Sequence, residues 1–196
     1  MSAEERIKES LLKLLSHKSL GKISVTEIAK DANVSRVTFY KIFTDKQEVL
    51  DKILEEYTAE FNNICNNNLS ILYKIDFSDL DSFLADLTPH IFNLISFLYQ
   101  KKEMIHMLMN SSDVNILKVT YNIFLPHFRT WLPQKFHLNY EPETLDQYCD
   151  FLTRGGALLI GNWFRSDFKQ SPKKITDILL NMVGPNLYAL YHRENH

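Results

Sequence analysis

Residues 24–43 contain two short segments with helical periodicity, separated only by the tripeptide Asn33-Val34-Ser35. Two helices joined by so short a connection must turn sharply. Asn is one of the few residues that tolerates the left-handed backbone conformation such a turn requires, and Ser35 is placed to cap the second helix. Ala29 is small at the point where the two helices would cross. The stretch therefore predicts a helix-turn-helix, with its second helix presented outward.

The rest of the chain has helical periodicity almost throughout. Only five Gly and six Pro occur in 196 residues, which argues against a turn-rich β fold. Capping boxes are expected at Ser2 and Ser24, each with Glu three residues later, and a third at Thr44 with Gln47. The Asn-rich stretch "CNNNLS" predicts a loop. We expect an all-α fold of about nine helices.

Composition excludes several classes of protein. The net charge is −2, and only the first fifty residues carry a positive excess, a modest hint of a polyanionic partner. Cys65 and Cys149 have no metal-ligand spacing and are expected to be buried apolar side chains. No signal peptide or membrane span is expected, so the chain is interpreted as cytoplasmic. The sequence contains no Gly-rich phosphate loop and no Cys/His pair that would indicate an enzyme. No cofactor, metal or catalytic residue is expected.

The second helix of the pair carries the side chains that would read DNA. In such a motif this helix lies in the major groove with its N-terminal half at the base edges. Arg36 could donate two hydrogen bonds to guanine, while Tyr40 reaches sideways to a phosphate, a contact that positions without specifying. A helix N-terminus favours phosphate as well. The predicted DNA-binding set is Thr26, Ser35, Arg36, Val37, Thr38, Tyr40, Lys41 and Lys46.

The same stretch, "ISVTEIAKDANVSRVTFYKIFTDKQEVL", resembles the DNA-binding domain of the tetracycline-repressor (TetR) family of bacterial regulators. The shared features are Ile28-Ala29, Ala32, Val34-Ser35, Thr38-Phe39-Tyr40, Phe43, Lys46 and Leu50. One departure is Asn33, where the family usually has Gly. The resemblance implies that Phe39 and Phe43 pack the small domain, and that Thr26, Tyr40 and Lys46 contact phosphate. It leaves the bases read by Arg36 and Val37 open.

A second resemblance covers "FLTRGGALLIGNWFRSDFKQSPKKITDILLNMV" in the C-terminal part. It is similar to a subgroup that includes activators of dihydroxyacetone-kinase operons, some of which work through a protein partner. The family resemblance implies a helix-turn-helix domain at 1–50 and a helical effector-binding and dimerisation domain at 51–196, with helix 45–64 bridging them.

The C-terminal part is expected to supply a homodimer interface and an effector pocket. Glycines on a helix are tolerable where another backbone packs closely, either across a dimer or within one subunit. The predicted interface is Leu152, Gly155, Gly156, Leu159, Trp163, Ile178, Leu179, Met182 and Leu187. The predicted pocket is Phe83, Leu87, His90, Phe97, Met104, Met107, Tyr121, Phe124 and Phe128, with Phe92, Tyr99, Trp131, His106 and His127 as further candidates. An aromatic and Met stripe at helical spacing is more often part of the core than the wall of a pocket.

Three hypotheses follow for function. The first is a homodimeric repressor that leaves a palindromic DNA operator when a small-molecule effector binds. The second is a TetR-like coactivator that acts through a protein partner and binds DNA poorly by itself. The third is an enzyme, for which the sequence offers no supporting motif.

Overall fold

The computed structural model describes residues 1–72, 74–111, 113–136 and 140–192, of which residues 68–72 and Lys135 are described for their backbone only. Within these residues the chain forms α-helices and one 3₁₀ turn at Leu20–Lys22 and contains no strand, which confirms the all-α prediction. The helices are α1 (Ala3–Leu15), α2 (Val25–Asp31), α3 (Arg36–Ile42), α4 (Lys46–Leu72), α5 (Leu80–Gln100), α6 (Lys102–Met109), α7 (Ile116–Phe136), α8 (Pro142–Arg165) and α9 (Pro172–His192).

Residue contacts divide the chain into two compact units. The first unit combines Met1–Glu60 with Lys102–Ile116, and the second combines Phe61–Lys101 with Leu117–His196. Helix α6 therefore belongs to the same unit as α1, although 86 residues separate them in the sequence. The domain limits predicted from the sequence, with a division after residue 50, stay a prediction.

Helix α1 is the centre of the first unit. One face of α1 is completely buried through Ile7, Leu11 and Leu15, and α1 packs against α2, α3 and α6. The hydroxyl of Ser10, also buried, donates to the Ile28 carbonyl at 3.1 Å. This bond satisfies a polar group on an otherwise apolar face, which a buried hydroxyl requires.

Two of the three predicted capping boxes are present. Ser2 with Glu5 and Ser24 with Glu27 each form both reciprocal bonds. The prediction for Thr44 with Gln47 is wrong: Asp45 accepts the backbone N–H of Glu48, and Gln47 donates to Asp51 instead. The Glu48 carboxylate accepts the backbone N–H and hydroxyl of Thr44. Asp caps a helix as well as Ser or Thr does, so a neighbouring Asp takes the position.

The loop predicted at "CNNNLS" is also wrong, because α4 continues through these residues to Leu72. Asn costs a helix only a few tenths of a kcal/mol relative to common helix formers. Tertiary packing of this half of the helix outweighs that cost. Phe61 and Cys65 are buried, and Asn62 Oδ1 lies 3.0 Å from His127 Nε2 on α7.

The second unit is built on the close packing of α5 against α9. Its core includes the fully buried rings of Phe83, Trp131 and Phe136. Gly184 on α9 faces Leu84 on α5, and a Cβ built on this glycine would lie 2.2 Å from Leu84 Cδ2. No real Cβ approaches a methyl group so closely. The two helices therefore require glycine at position 184 as long as Leu84 keeps its rotamer.

We expect Gly184→Ala to destabilise the protein by about 1–3 kcal/mol, because overpacking outweighs the gain in helix propensity. Urea unfolding measures this change. In a Leu84→Ala background the clash is absent, and the same substitution should be neutral or stabilising. Equal effects of Gly184→Ala in both backgrounds would show that the Leu84 contact does not determine the packing.

Candidate nucleic-acid interface

The turn between α2 and α3 is closed by backbone hydrogen bonds and one left-handed residue. Asn33 has φ = 52°, as predicted from the sequence. This conformation lets the Val34 N–H donate to the Ala29 carbonyl at 2.9 Å, while the Asn33 N–H donates to the Lys30 carbonyl at 3.2 Å. Such bonds satisfy carbonyls that a helix end would otherwise leave without a partner. The turn thus fixes the direction in which α3 leaves α2.

Helix α3 begins at a cap formed by Ser35. The Ser35 hydroxyl accepts the Thr38 N–H at 2.9 Å and lies 2.8 Å from the Thr38 hydroxyl. Both hydroxyls are therefore already in use within the first turn of α3. Ser35 and Thr38, both predicted to bind DNA, therefore hold the start of α3 together through their side chains.

The inner and outer faces of α3 differ sharply in burial. Phe39 is completely buried and Phe43 nearly so, as the resemblance implied. Val37 is 66% exposed and Tyr40 51% exposed. The side chain of Val37 therefore lies on the surface and not in the core. Thr26, Ser35, Arg36 and Lys41 are also exposed, whereas Thr38 is half-buried.

Lys46, at the start of α4, is held more tightly than a surface lysine. Its ammonium group donates to the carbonyl oxygens of Leu20 and Ile23, each at 2.7 Å, and to that of Gly21 at 3.3 Å. An ammonium has three protons, so all of them have partners in this structure. The side chain ties the N-terminus of α4 to the 3₁₀ turn that precedes α2. Its predicted contact with phosphate stays a prediction, and sequence reasoning missed this structural role.

The start of α2 is fixed by an ion pair. The pKa of Glu27 is lowered to about 2, first because the Lys18 ammonium bonds its carboxylate and then because Ser24 donates to it. A lowered carboxyl pKa contributes stability above its unfolded value of about 4.5, and this contribution is lost as the pH falls towards 2. The capping arrangement beside Thr26 therefore does not change near neutral pH.

The second unit contains a partly open cavity of about 180 Å³. Of the nine residues of the predicted pocket, five line it: Leu87, His90, Tyr121, Phe124 and Phe128. Two of the five further candidates, Trp131 and His127, line it as well. Residues from α8 and α9 that sequence reasoning did not assign to a pocket complete the wall, among them Thr153, Ile160, Leu180 and Val183.

Four residues of the predicted pocket lie elsewhere. Phe83 packs against Phe77 and Tyr188 in the core, and Phe97 stacks on Phe61 with ring centroids 5.4 Å apart. Met104 and Met107 lie on α6, which belongs to the first unit. The wider candidates Phe92, Tyr99 and His106 are also absent from the cavity wall. Helical spacing alone does not distinguish a side chain that lines a cavity from one that fills the core.

The residues predicted for a dimer interface fall into two groups. Gly155 and Met182 are exposed, and Leu159 and Ile178 are half-buried. In contrast, Leu152, Trp163 and Leu187 are already buried within the chain and have no surface left for a partner, while Gly156 and Leu179 line the cavity. Trp163 Nε1 donates to the Gln170 carbonyl at 2.9 Å. The apolar side chains actually exposed on this part of α8 are Phe151, 71% exposed, and Leu158, 62% exposed.

The glycines of α8 also differ from one another. A Cβ on Gly161 would lie 3.3 Å from Leu117 Cδ1 of the same chain, so this glycine eases packing within the subunit. A Cβ on Gly155 would have no neighbour within 4 Å. Of the glycines of α8, Gly155 has the most open surroundings for close approach by another molecule.

These features define a helix-turn-helix protein with a separate helical unit that contains a cavity. Residues 8–53 match the family described as "Bacterial regulatory proteins, tetR family". Residues 85–184, about half of the chain, match "Transcriptional regulator C-terminal region" of the same family. The chain belongs to the TetR family of transcriptional regulators.

Curated relatives and solved structures agree with this assignment. The HTH-type transcriptional regulator YxbF of Bacillus subtilis is 24% identical over 93% of this chain, and this match covers 45% of YxbF. YvkB of the same organism is 26% identical over 54% of this chain and 56% of its own length. The chain thus spans about half the length of the curated relatives it matches.

Three solved structures share the fold. The dihydroxyacetone kinase operon activator DhaS has 17% identity and a TM-score of 0.57, with 94% of this chain and 96% of that chain covered. The fatty acid degradation regulator FadR from Bacillus halodurans has 14% identity and a TM-score of 0.59, with 100% and 98% covered. NalD of Pseudomonas aeruginosa has 20% identity and a TM-score of 0.54, with 92% and 94% covered.

No helix in the described part of the chain is long and apolar enough to cross a membrane.

We expect Lys46→Met to lower the free energy of unfolding by about 1–3 kcal/mol, because it leaves partly buried carbonyls at residues 20 and 23 without their donor. Chemical denaturation measures the change, and hydrogen exchange should show faster opening around Leu20–Lys22. Lys41→Met is the matched control, since Lys41 is exposed on α3 and its replacement should change stability by less than about 0.5 kcal/mol. Equal stability of the two variants would contradict the structural role of Lys46.

Proposed function

We propose that this protein is a homodimeric transcriptional repressor that binds a palindromic DNA operator and is released from it by a small-molecule effector. The observation that carries the proposal is the outer face of α3. Arg36, Val37, Tyr40 and Lys41 are all exposed there, on a helix whose start and direction are fixed by the Ser35 cap and the Asn33 turn. A protein that binds an operator would act in the cytoplasm, where bacterial DNA lies. The proposed function includes no catalytic role.

The exposed side chains divide into two kinds of DNA contact. Arg36 lies in the first turn of α3, where recognition helices meet base edges, and its guanidinium matches the two acceptors of guanine. Val37 offers an apolar surface suited to a thymine methyl group. Tyr40 packs against Phe39, with ring centroids 5.5 Å apart, and about half of its side chain is exposed, which suits its hydroxyl to a phosphate contact. Base contacts specify sequence, and phosphate contacts position the protein.

Dimerisation is supported by the exposed apolar side chains of α8 and α9. Phe151 and Leu158 lie seven residues apart on α8, two turns along one face, and Met182 is 57% exposed on α9. Apolar groups exposed together favour burial against a second surface. A second copy of the same face suits a palindromic operator, whose half-sites lie about 34–36 Å apart or a multiple of that.

Effector control is supported by the cavity in the second unit. An effector releases the protein only if it binds the DNA-free state more tightly than the operator-bound state. Repression is the simpler direction of control, because occupation of an operator alone can block transcription. The coactivator alternative is not favoured, since a protein that no longer read DNA would not need Arg36 and Tyr40 exposed on a capped α3.

The experiment that tests the proposal is selection from a random duplex DNA pool by the purified protein at two salt concentrations. A recovered palindrome with a fixed half-site spacing is the expected result. Weak, sequence-blind binding that falls steeply with salt would contradict specific recognition, and a stable complex with another protein would then support the coactivator.

On the selected operator, Arg36→Ala should cost about 1–3 kcal/mol and relax the preference at one base pair of each half-site. Tyr40→Phe is the comparison variant. It removes a phosphate contact and should weaken binding to all sequences by a similar factor. Binding curves on the operator and on its single-base variants measure both effects. An Arg36→Ala protein with unchanged sequence preference would show that Arg36 does not read a base.

Leu158→Glu should convert the dimer to a monomer, because it places a charge in the centre of the proposed interface. Analytical ultracentrifugation measures the mass. Phe92→Glu is the matched control: Phe92 is an exposed aromatic residue on α5, 41% accessible, and its replacement should leave the dimer intact. A dimer that survives Leu158→Glu, or dissociates equally in both variants, would place the interface elsewhere.

A further inference from the structure

The cavity wall is notable for the charges that it does not carry. Twenty-four residues line the cavity, and among these described residues there is no Asp, Glu, Lys or Arg. An ionised ligand would lose part of its hydration in this apolar cavity without a charged wall residue to replace it, which is unfavourable. The charges that act on the wall lie outside it: Asp86 interacts with His90, and Arg154 interacts with Tyr121. The wall therefore selects against both anions and cations.

Burial favours the neutral forms of three titratable groups on the wall, His90, His127 and Cys65. Burial lowers the pKa of His90 and of His127, which favours the uncharged imidazole. Burial also raises the pKa of the Cys65 thiol to about 12, so this thiol stays protonated. These groups reinforce the neutral character of the wall.

Two polar groups on the wall have no hydrogen-bond partner within the described chain. They are the hydroxyl of Tyr121 and the indole N–H of Trp131, and both atoms are buried. Trp131 as a whole is only 1% exposed. In comparison, the Thr153 hydroxyl donates to the Cys149 carbonyl at 2.6 Å, and His127 is paired with Asn62. Buried donors without acceptors are rare and call for an explanation.

We infer that the cavity binds an uncharged, mostly apolar molecule that brings a hydrogen-bond acceptor, such as a ketone or ester oxygen, to the Tyr121 hydroxyl or the Trp131 N–H. An indole N–H can only donate, so the ligand atom that meets it must be an acceptor. A cavity of about 150 Å³ holds a benzene molecule. The present volume of about 180 Å³ therefore fits one aromatic ring with a small substituent. The inference rests on the proposed function in so far as this ligand is the effector.

Four probes of similar shape separate the properties at issue. Acetophenone is neutral and carries an acceptor, and α-methylstyrene replaces its oxygen with a methylene group. Benzoate is the anionic counterpart, and benzamidinium is the cationic one. Calorimetric titration of the full chain at pH 7 should show acetophenone binding at least about fivefold more tightly than each of the others, the factor expected for one buried hydrogen bond.

Two variants assign the preference to the cavity. Tyr121→Phe and Trp131→Phe each remove one of the unpartnered donors. At least one of them should reduce the preference for acetophenone over α-methylstyrene to less than about twofold. Tyr148→Phe is the matched control, because it removes a hydroxyl from the same unit at a position that does not line the cavity, and it should keep the preference.

The chain contains two Trp residues, whose indole N–H signals give an independent nuclear magnetic resonance measurement. Trp163 already donates to Gln170, so its signal serves as an internal reference. If Trp131 is the donor, acetophenone should move its N–H signal further than α-methylstyrene does. If acetophenone binds more tightly than α-methylstyrene but moves neither indole signal, the Tyr121 hydroxyl is the donor.

Several outcomes would overturn the inference. They are tighter binding of benzoate or benzamidinium, equal binding of acetophenone and α-methylstyrene, a preference that survives both donor variants, or no binding of any probe. DNA selection on the same protein reports separately on the proposed function. Operator binding without the probe preference would refute the ligand class alone, and the probe preference without operator binding would refute the proposed operator-binding repressor alone.

Discussion

The helix-turn-helix depends on burying one face of two helices that are too short to be stable by themselves. Helices α2 and α3 have seven residues each, well below the length at which an isolated helix persists in water. Burial of Ile28 and Phe39 in the first unit supplies the stability that hydrogen bonds within such short helices cannot. The same burial orients the opposite face of α3. The exposed position of Val37 and Tyr40 is therefore a consequence of the core, and the Lys46 ammonium adds a polar restraint where α4 meets the turn before α2.

Features encoded locally could be predicted from the sequence. The Asn33 turn and the Ser35 cap each depend on residues within one or two helical turns, and both are present in the structure. Where two neighbouring residues can both cap a helix, the sequence alone does not decide between them. Asp45 caps α4 in place of Thr44, for which the cap was predicted. The Asn run in α4 shows the opposite limit. A weak local preference against helix is overridden in a helix whose preceding turns are held by the buried Phe61 and Cys65 and by the contact of Asn62 with His127, which no short window of sequence contains.

The second unit was harder to predict because periodicity identifies a buried face but does not show what lies against it. Phe83 and Phe128 have the same residue type on amphipathic helices, yet one fills the core and the other lines a cavity. Glycine has the same ambiguity. Gly161 packs against a side chain of its own chain, Gly155 has open space, and Gly184, which the sequence did not single out, makes the closest approach of all. Only the three-dimensional neighbours decide among these roles.

Helix α8 connects the two properties proposed for the second unit. Thr153, Gly156 and Ile160 line the cavity, whereas Phe151 and Leu158 are exposed. A ligand and a second copy of the chain would thus contact different sides of one helix. Any shift of α8 that a ligand favours changes the surface offered to the partner. By thermodynamic reciprocity the partner then changes the affinity for the ligand by the same factor. Because well-packed side chains resist continuous deformation, such a shift would begin most easily near Gly155, where a Cβ would have no neighbour within 4 Å.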